Sequence, residues 1–209
     1  DQYNLGFQYQ LMPEEGIFAG FKISADAYYN HVTDKIIAVP KGTGQYRWMM
    51  MNIGKVHING LDISGNVASK NAEDADAFSY GLRIAYTYQR AMDMSDPSDN
   101  GPRGTYKGQI SYIPRHSGSV IVNAGFHGWS ACYSFIYVGE RYHVSANIAE
   151  NYEPSWYTHD MTVVKHIELH KVKLDITGEL NNIFDQRYDV VLNYPMPGRN
   201  WKAILRIGW

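Results

Sequence analysis

A single cysteine, Cys132, is the only thiol in this chain, which excludes an internal disulfide and any cysteine-rich metal centre. It reads as a small residue of a wall or lumen. No run approaches the roughly 18 apolar residues that a transmembrane helix needs, and no apolar stretch at the start has signal-peptide character. No basic block is present and the formal net charge is only −2, so nucleic acid is not an expected partner. Serine, histidine and aspartate all occur, yet no Gly-x-Ser-x-Gly elbow marks a nucleophile, and no catalytic residue is expected. His166, Glu168 and His170 invite a zinc reading. That reading needs a helix, and on a strand the two imidazoles would stand about 13 Å apart, too far to share an ion. No metal and no cofactor are expected. Convincing helical periodicity is missing as well.

What the chain does have is aromatic side chains, with 17 tyrosines, and strand alternation almost throughout. Side chains of a strand point to opposite faces in turn. The last residues show this plainly: Trp201, Ala203, Leu205, Ile207 and Trp209 oppose Lys202, Ile204, Arg206 and Gly208. Tyr3, Leu5, Phe7 and Tyr9 form an apolar parity at the start. A second strand carries Phe21, Ile23, Ala25, Ala27 and Tyr29 and is expected to run on through Ile36-Ile37. The next is expected from about Tyr46 to Ala68, with Gly54 and Gly60 as bulge or bend positions. Further strands carry Tyr80 to Tyr88, a stretch bracketing Pro114 and reaching Phe126, Trp129 to Tyr137, Trp156 to Leu169, and Val172 to Leu180. The count is about nine.

Turn chemistry sorts the connections by length. Met12–Gly16, Ser69–Ala75, His127-Gly128 and the His170-Lys171 turn are short, whereas Asp93–Arg103 and Ser145–Pro154 are long. Alternating short and long connections are a mark of membrane β-barrels. Aromatic pairs also recur eight residues apart on one parity, at Phe21/Tyr29, Tyr80/Tyr88, Trp129/Tyr137 and Trp201/Trp209. Eight tilted strand residues span roughly 20 Å, which approaches the separation of two aromatic girdles. Lys165 shares a face with Met161, Val163 and Ile167 and belongs near an interface. A lysine facing lipid costs roughly 2–4 kcal/mol at the bilayer midplane and only about 0–1 at its edge. Gly178, Glu179 and Asp175 read as wall residues facing water.

The segment Asn181-Asn182-Ile183-Phe184-Asp185-Gln186-Arg187-Tyr188-Asp189-Val190-Val191, followed by Tyr194-Pro195-Met196-Pro197-Gly198-Arg199-Asn200-Trp201 and a short strand ending on an aromatic, resembles the C-terminus of TonB-dependent outer-membrane receptors. Ile183 stands where leucine is commoner. Asn52-Ile53-Gly54-Lys55 with Gly60-Leu61-Asp62, and Tyr112-Ile113-Pro114-Arg115-His116, resemble the same family. The resemblance implies an all-β fold, an antiparallel up-and-down transmembrane β-barrel. In the family, about 22 strands enclose an N-terminal plug. It also implies active uptake of a scarce nutrient such as an iron-siderophore, haem or a cobalamin-like compound, energised through TonB. The location would be the outer membrane of a Gram-negative bacterium. An odd count of about nine strands does not make a complete bacterial barrel. Residues 1–209 are therefore expected to be a C-terminal segment, with the plug and the N-terminal barrel strands outside it. The expected partners are outer-membrane lipid, the nutrient at the outer loops, and the plug and TonB complex through the rest of the receptor.

Arginines and aromatics on the side of the extracellular loops combine apolar contact with directed hydrogen bonds, which suits ligand binding. The candidates are Tyr46, Arg47, Arg103, Tyr106, Arg141, His143, Tyr152, Trp156, Arg187 and Tyr188, with Tyr142 and Tyr157 beside them. The alternative is a soluble β-sandwich or calyx that binds a small apolar ligand, which would require the apolar parities to face a shared core.

Overall fold

The computed structural model describes residues 1–13, 18–40, 48–52, 54–69, 77–95 and 105–209. Nine long strands form one antiparallel sheet in which each neighbours the next in chain order. They are β1 Gln2–Leu11, β2 Phe18–Val32, β5 Val56–Ser69, β6 Ser79–Asp93, β7 His116–Phe126, β8 Trp129–Val138, β11 Trp156–Leu169, β12 Val172–Asn181 and β15 Asn200–Gly208. Three two-stranded ribbons interrupt that order: β3 Ile36–Pro40 with β4 Trp48–Asn52, β9 Arg141–Tyr142 with β10 Tyr152–Glu153, and β13 Asp189–Val191 with β14 Tyr194–Pro195. All three lie in the longer connections. One end of the sheet thus carries short turns and the other carries folded loops. Among the described residues, β1 pairs only with β2 and β15 only with β12, so the sheet is open at both edges.

Register carries the alternation of each strand across the whole sheet. Leu82 faces Val122 and Val122 faces Tyr133, while Arg83 faces Ile121 and Asn66. On the far side Leu205 opposes Ile176 and Ile207 opposes Leu174, while Arg206 opposes Asp175 and Lys202 opposes Glu179. A one-residue slip would invert every such pair. One face is therefore apolar and uncovered among the described residues, with Leu5 78%, Trp201 77% and Leu205 60% exposed. The other face is polar and tied by side-chain bonds: Ser24 to Ser64 at 2.8 Å, Thr87 Oγ1 donating to Asp62 Oδ1 at 2.7 Å, and Lys202 to Glu179 at 3.3 Å. A concavity of about 380 Å³, lined by Gly81, Asn123, Gly125, Ser130, Cys132 and Thr162, opens near the short-turn end of this polar face. Glu179 and Asp175 stand on the same face. Gly178, opposite Ala203, belongs to the apolar one, which corrects its reading as a water-facing residue. The soluble-sandwich alternative would need a second layer over the apolar side, and no described residue supplies one.

The apolar face ends in aromatic rows. Phe18 meets Tyr80 edge-on at 6.0 Å at the short-turn end, and Tyr3 meets Tyr29 at 6.4 Å at the other. Lys165 reaches the short-turn margin, where its Nζ donates to the His127 carbonyl at 2.7 Å and lies 5.1 Å from the centre of the Trp129 ring. Its charge is thus held at a turn and not among the aliphatic residues. The His127-Gly128 turn has both residues at positive φ, 47° and 69°, the twist that suits a two-residue hairpin.

Three expectations change. Instead of running on through Ile36-Ile37, β2 stops at Val32, and Ile36 opens the separate β3–β4 ribbon. The strand expected from about Tyr46 is likewise split, because Gly54 at φ 77° breaks it while Gly60 runs through in register with Tyr28 and Gln89. Around Pro114 the chain is not yet strand. β7 begins at His116, and the residues before it bulge out, with Tyr112 at φ 59°. The loop residues expected over 96–103 and the turn at 70–75 lie outside the described residues. The buried apolar cluster of Val56, Ala91 and Ile110, flanked by Val32, Ile58 and Ile113, sits at the long-loop end where this bulge packs back.

Candidate ligand site at the long-loop end

Arg141 is the centre of the loop assembly. It opens the β9–β10 ribbon opposite Glu153 and is only 3% exposed. Its guanidinium donates to the carbonyl oxygens of Asp189 at 2.7 Å, Val190 at 3.1 Å and Pro154 at 3.4 Å. One side chain thereby joins the β8–β11 loop to the β13–β14 ribbon. Burial pushes the guanidinium below arginine's ordinary value, and Glu153, then Tyr112 and Asp189, pull it back up. It stays charged at any physiological pH.

Tyr112 adds a second tie. Its backbone N–H donates to the Tyr142 carbonyl at 2.8 Å, and its phenol oxygen accepts the Leu192 N–H at 3.3 Å. Burial, ahead of other influences, raises the Tyr112 phenol above the usual tyrosine value, with the nearby Glu153 acting the same way. His143 contacts Glu153 at 3.2 Å through Nδ1. Tyr152 meets Tyr142 edge-on at 6.0 Å. Trp156 stacks on Tyr188 with ring centres 4.4 Å apart. Burial, and then Asp160, raise the Tyr188 phenol.

The segment from Asn181 to Arg199 is welded by its own polar residues. Asn182, at φ 50°, donates through Nδ2 to the carbonyls of Gln186 and Pro197 and accepts the Gln186 N–H at 2.9 Å. Asp185 Oδ1 accepts the Arg199 N–H at 2.8 Å. A Cβ on Gly198 would come within 2.6 Å of that same carboxylate oxygen, so a side chain there would push the carboxylate off the Arg199 N–H. Between this welded segment and β10 lies an open cleft of about 610 Å³, lined by Glu153, Pro154, Asp185, Arg187, Tyr188, Asp189, Pro195, Met196 and Gly198.

The structure thus brings Arg141, His143, Tyr152, Trp156, Arg187 and Tyr188 into one loop assembly. Arg187 and Tyr188 line the cleft, Trp156 stacks behind Tyr188, and Arg141 is spent on internal carbonyls. Tyr106 stands apart, 44% exposed, with the Lys107 Nζ 5.2 Å from its ring centre. Tyr46, Arg47 and Arg103 lie outside the described residues. Glu153, Asp185, Asp189 and Met196 also line the cleft and were not singled out in the sequence. The signal available for them was their place beside the arginines and aromatics of the same two loops.

A hydrogen-bonded row lies on the polar face near the short-turn end. His166 Nδ1 stands 2.7 Å from Asp175 Oδ1, and its Nε2 stands 3.4 Å from Ser130 Oγ. The order resembles a catalytic relay. However, Ser130 is laddered on both sides, to Gly125 and Val164, so no pair of backbone N–H groups beside it is free to hold an oxyanion. Arg206, 4.0 Å from Asp175, extends the row as a polar wall.

Residues 1–183 match the model of the TonB dependent receptor-like β-barrel family, and the chain belongs to that family. Among solved structures it is similar to the siderophore receptor PiuA of Acinetobacter baumannii, at TM-score 0.68 and 15% identity over 99% of this chain and 28% of that one. The ferric-catecholate import receptor Fiu of E. coli K12 gives TM-score 0.64 and 16% identity over 99% and 27%. The copper transporter OprC gives 0.61 and 14% over 96% and 30%. The chain therefore spans less than a third of the length of these relatives. The sheet is a nine-stranded antiparallel piece of a receptor barrel.

Proposed function

We propose that residues 1–209 are the C-terminal part of an outer-membrane receptor of a Gram-negative bacterium that takes up a scarce nutrient by a TonB-dependent route. The class of cargo is an iron-siderophore, haem or a cobalamin-like compound. In this reading the apolar face meets lipid, the polar face lines the lumen, and the long-loop end faces outside. The remaining strands, the plug and the contact with the inner-membrane TonB complex belong to the rest of the receptor. The observation that carries the reading is the register. It keeps one apolar and one polar face across all nine strands of a chain whose first 183 residues match the receptor-barrel model.

The cleft offers a rim for the cargo. Arg187 supplies a forked donor and Tyr188 over Trp156 supplies a flat apolar platform, while His143 holds Glu153 of the cleft wall and Tyr152, next to Glu153 in sequence, packs on Tyr142. Tyr46, Arg47, Arg103 and Tyr106 are proposed as further cargo-binding residues. Arg141 positions the rim and does not itself meet the cargo. No step of bond making or breaking is assigned to any residue. Uptake of labelled iron-siderophores, haem and cobalamin, in cells carrying or lacking the whole receptor, tests the reading. Transport of one cargo should vanish with the receptor and with TonB. Uptake of every cargo unchanged by deleting the receptor would overturn it.

A further inference from the structure

His31 and His57 stand directly opposite each other on β2 and β5, on the outward parity, two residues beyond the Tyr29 row. The His31 N–H donates to the Asp1 carbonyl at 2.8 Å, so its backbone bonds point toward β1 and away from β5. His31 and His57 are therefore a non-hydrogen-bonded pair, the class whose side chains approach most closely, with Cα atoms about 4.5 Å apart. Their ring centres lie 4.7 Å apart with planes at 75°. The Nε2 of His31 is sealed from solvent and, among the described residues, has no hydrogen-bond partner. A buried ring nitrogen without a partner calls for an explanation. On the other side of His57, Met92 of β6 is its direct cross-strand partner, which places a thioether on the same face.

We propose that His31 and His57, with Met92, form a binding site for a late first-row transition ion, copper foremost. An imidazole nitrogen binds such an ion at about 2.0–2.1 Å, which sets the ring centre roughly 3 Å from it. Two imidazoles at roughly right-angled positions around one ion then have centres about 4–5 Å apart. The observed separation falls in that range. Imidazole suits copper, zinc and nickel, copper stands highest in the affinity order of these ions, and a thioether adds preference for copper(I). The site also has a structural consequence. His31 lies one residue before the end of β2, and His57 is the second residue of β5. The pair flanks the stem from which the β3–β4 ribbon rises, so an ion held there would clamp that stem. This inference does not depend on which cargo the receptor carries.

The test uses the whole receptor in detergent, stripped with chelator and titrated with copper(I) under reductant against a chromophoric competitor. The same titration is run on His31→Ala, His57→Ala and Met92→Leu. One equivalent should bind. Affinity should fall at least tenfold in either histidine variant. In Met92→Leu, copper(I) binding should weaken more than copper(II) binding does. Heat-modifiable migration on gels shows that each variant still forms its barrel. Amides at the end of β2 should exchange more slowly when copper is present. A receptor that binds no stoichiometric copper would overturn the proposal, as would binding that survives undiminished in folded His57→Ala.

Discussion

At position 141 a guanidinium with five donors is nearly sealed from water and faces carbonyls from two separate loops. Charge-assisted bonds of this kind contribute about 1.5–3 kcal/mol each, and their planar fork cannot be copied by an ammonium. Arg141→Lys should therefore free the β13–β14 ribbon while leaving the sheet intact. Hydrogen exchange should show amides of residues 189–193 losing protection by at least tenfold, with β12 and β15 unchanged. Unaltered protection there would remove Arg141 from its organising role. The sequence showed Arg141 as a cation in an outer loop, but its use could not be read there, because two of its three carbonyl partners lie 48 and 49 residues away. The opposite holds for Asn182, Asp185 and Gly198. Their short-range welding explains why that segment looks like a family signature even when read as a string.

Among the elements, β15 states the two-faced design most simply. Leu205 projects on the uncovered apolar side opposite Ile176, and Lys202 pairs with Glu179 on the polar side. In lipid, Leu205→Arg should destabilise the barrel by about 2–4 kcal/mol if the residue sits near the bilayer midplane. Lys202→Leu, which removes a largely exposed ion pair, should cost under about 1 kcal/mol. Equilibrium unfolding of the whole receptor in vesicles compares the two, and equal costs would contradict the assignment of faces. The loop elements respond to a different variable. The Tyr112 and Tyr188 phenols titrate above tyrosine's usual value of 10.0, so the fold favours their neutral forms. Their contribution is complete below pH 10 and is lost as pH climbs through the raised folded values. As pH rises above 10, loop amides at 141–153 and 185–198 should therefore lose protection before those of the sheet. The strands themselves were legible because alternation is a local property. The break between β2 and β3 was not, since Ile36-Ile37 continues the apolar character of the strand. Nor was the bulge before β7, whose Tyr112 conformation is fixed by partners in two distant loops.

For the whole molecule, the sheet makes sense only as part of a wall. Among the described residues its apolar side is uncovered, and its polar side carries ion pairs, hydrogen-bonded rows and concavities. The buried apolar cluster found among the described residues lies under the loops and not between two layers. The alternation of each strand, the run of short and long connections and the closing motif all announced this in the sequence. Sequence alone did not say which loop residues converge on one cleft, because that depends on how Arg141 ties the β9–β10 ribbon to the β13–β14 ribbon. The most direct test of the wall is labelling of single cysteines in the whole receptor in the outer membrane. The background has the receptor's native cysteines replaced, Cys132→Ser among them, and the probe is a water-soluble maleimide. Arg206→Cys and Arg83→Cys should react, whereas Leu205→Cys and Ile84→Cys should stay protected until the membrane is dissolved. Faster reaction at Leu205→Cys than at Arg206→Cys would contradict the account.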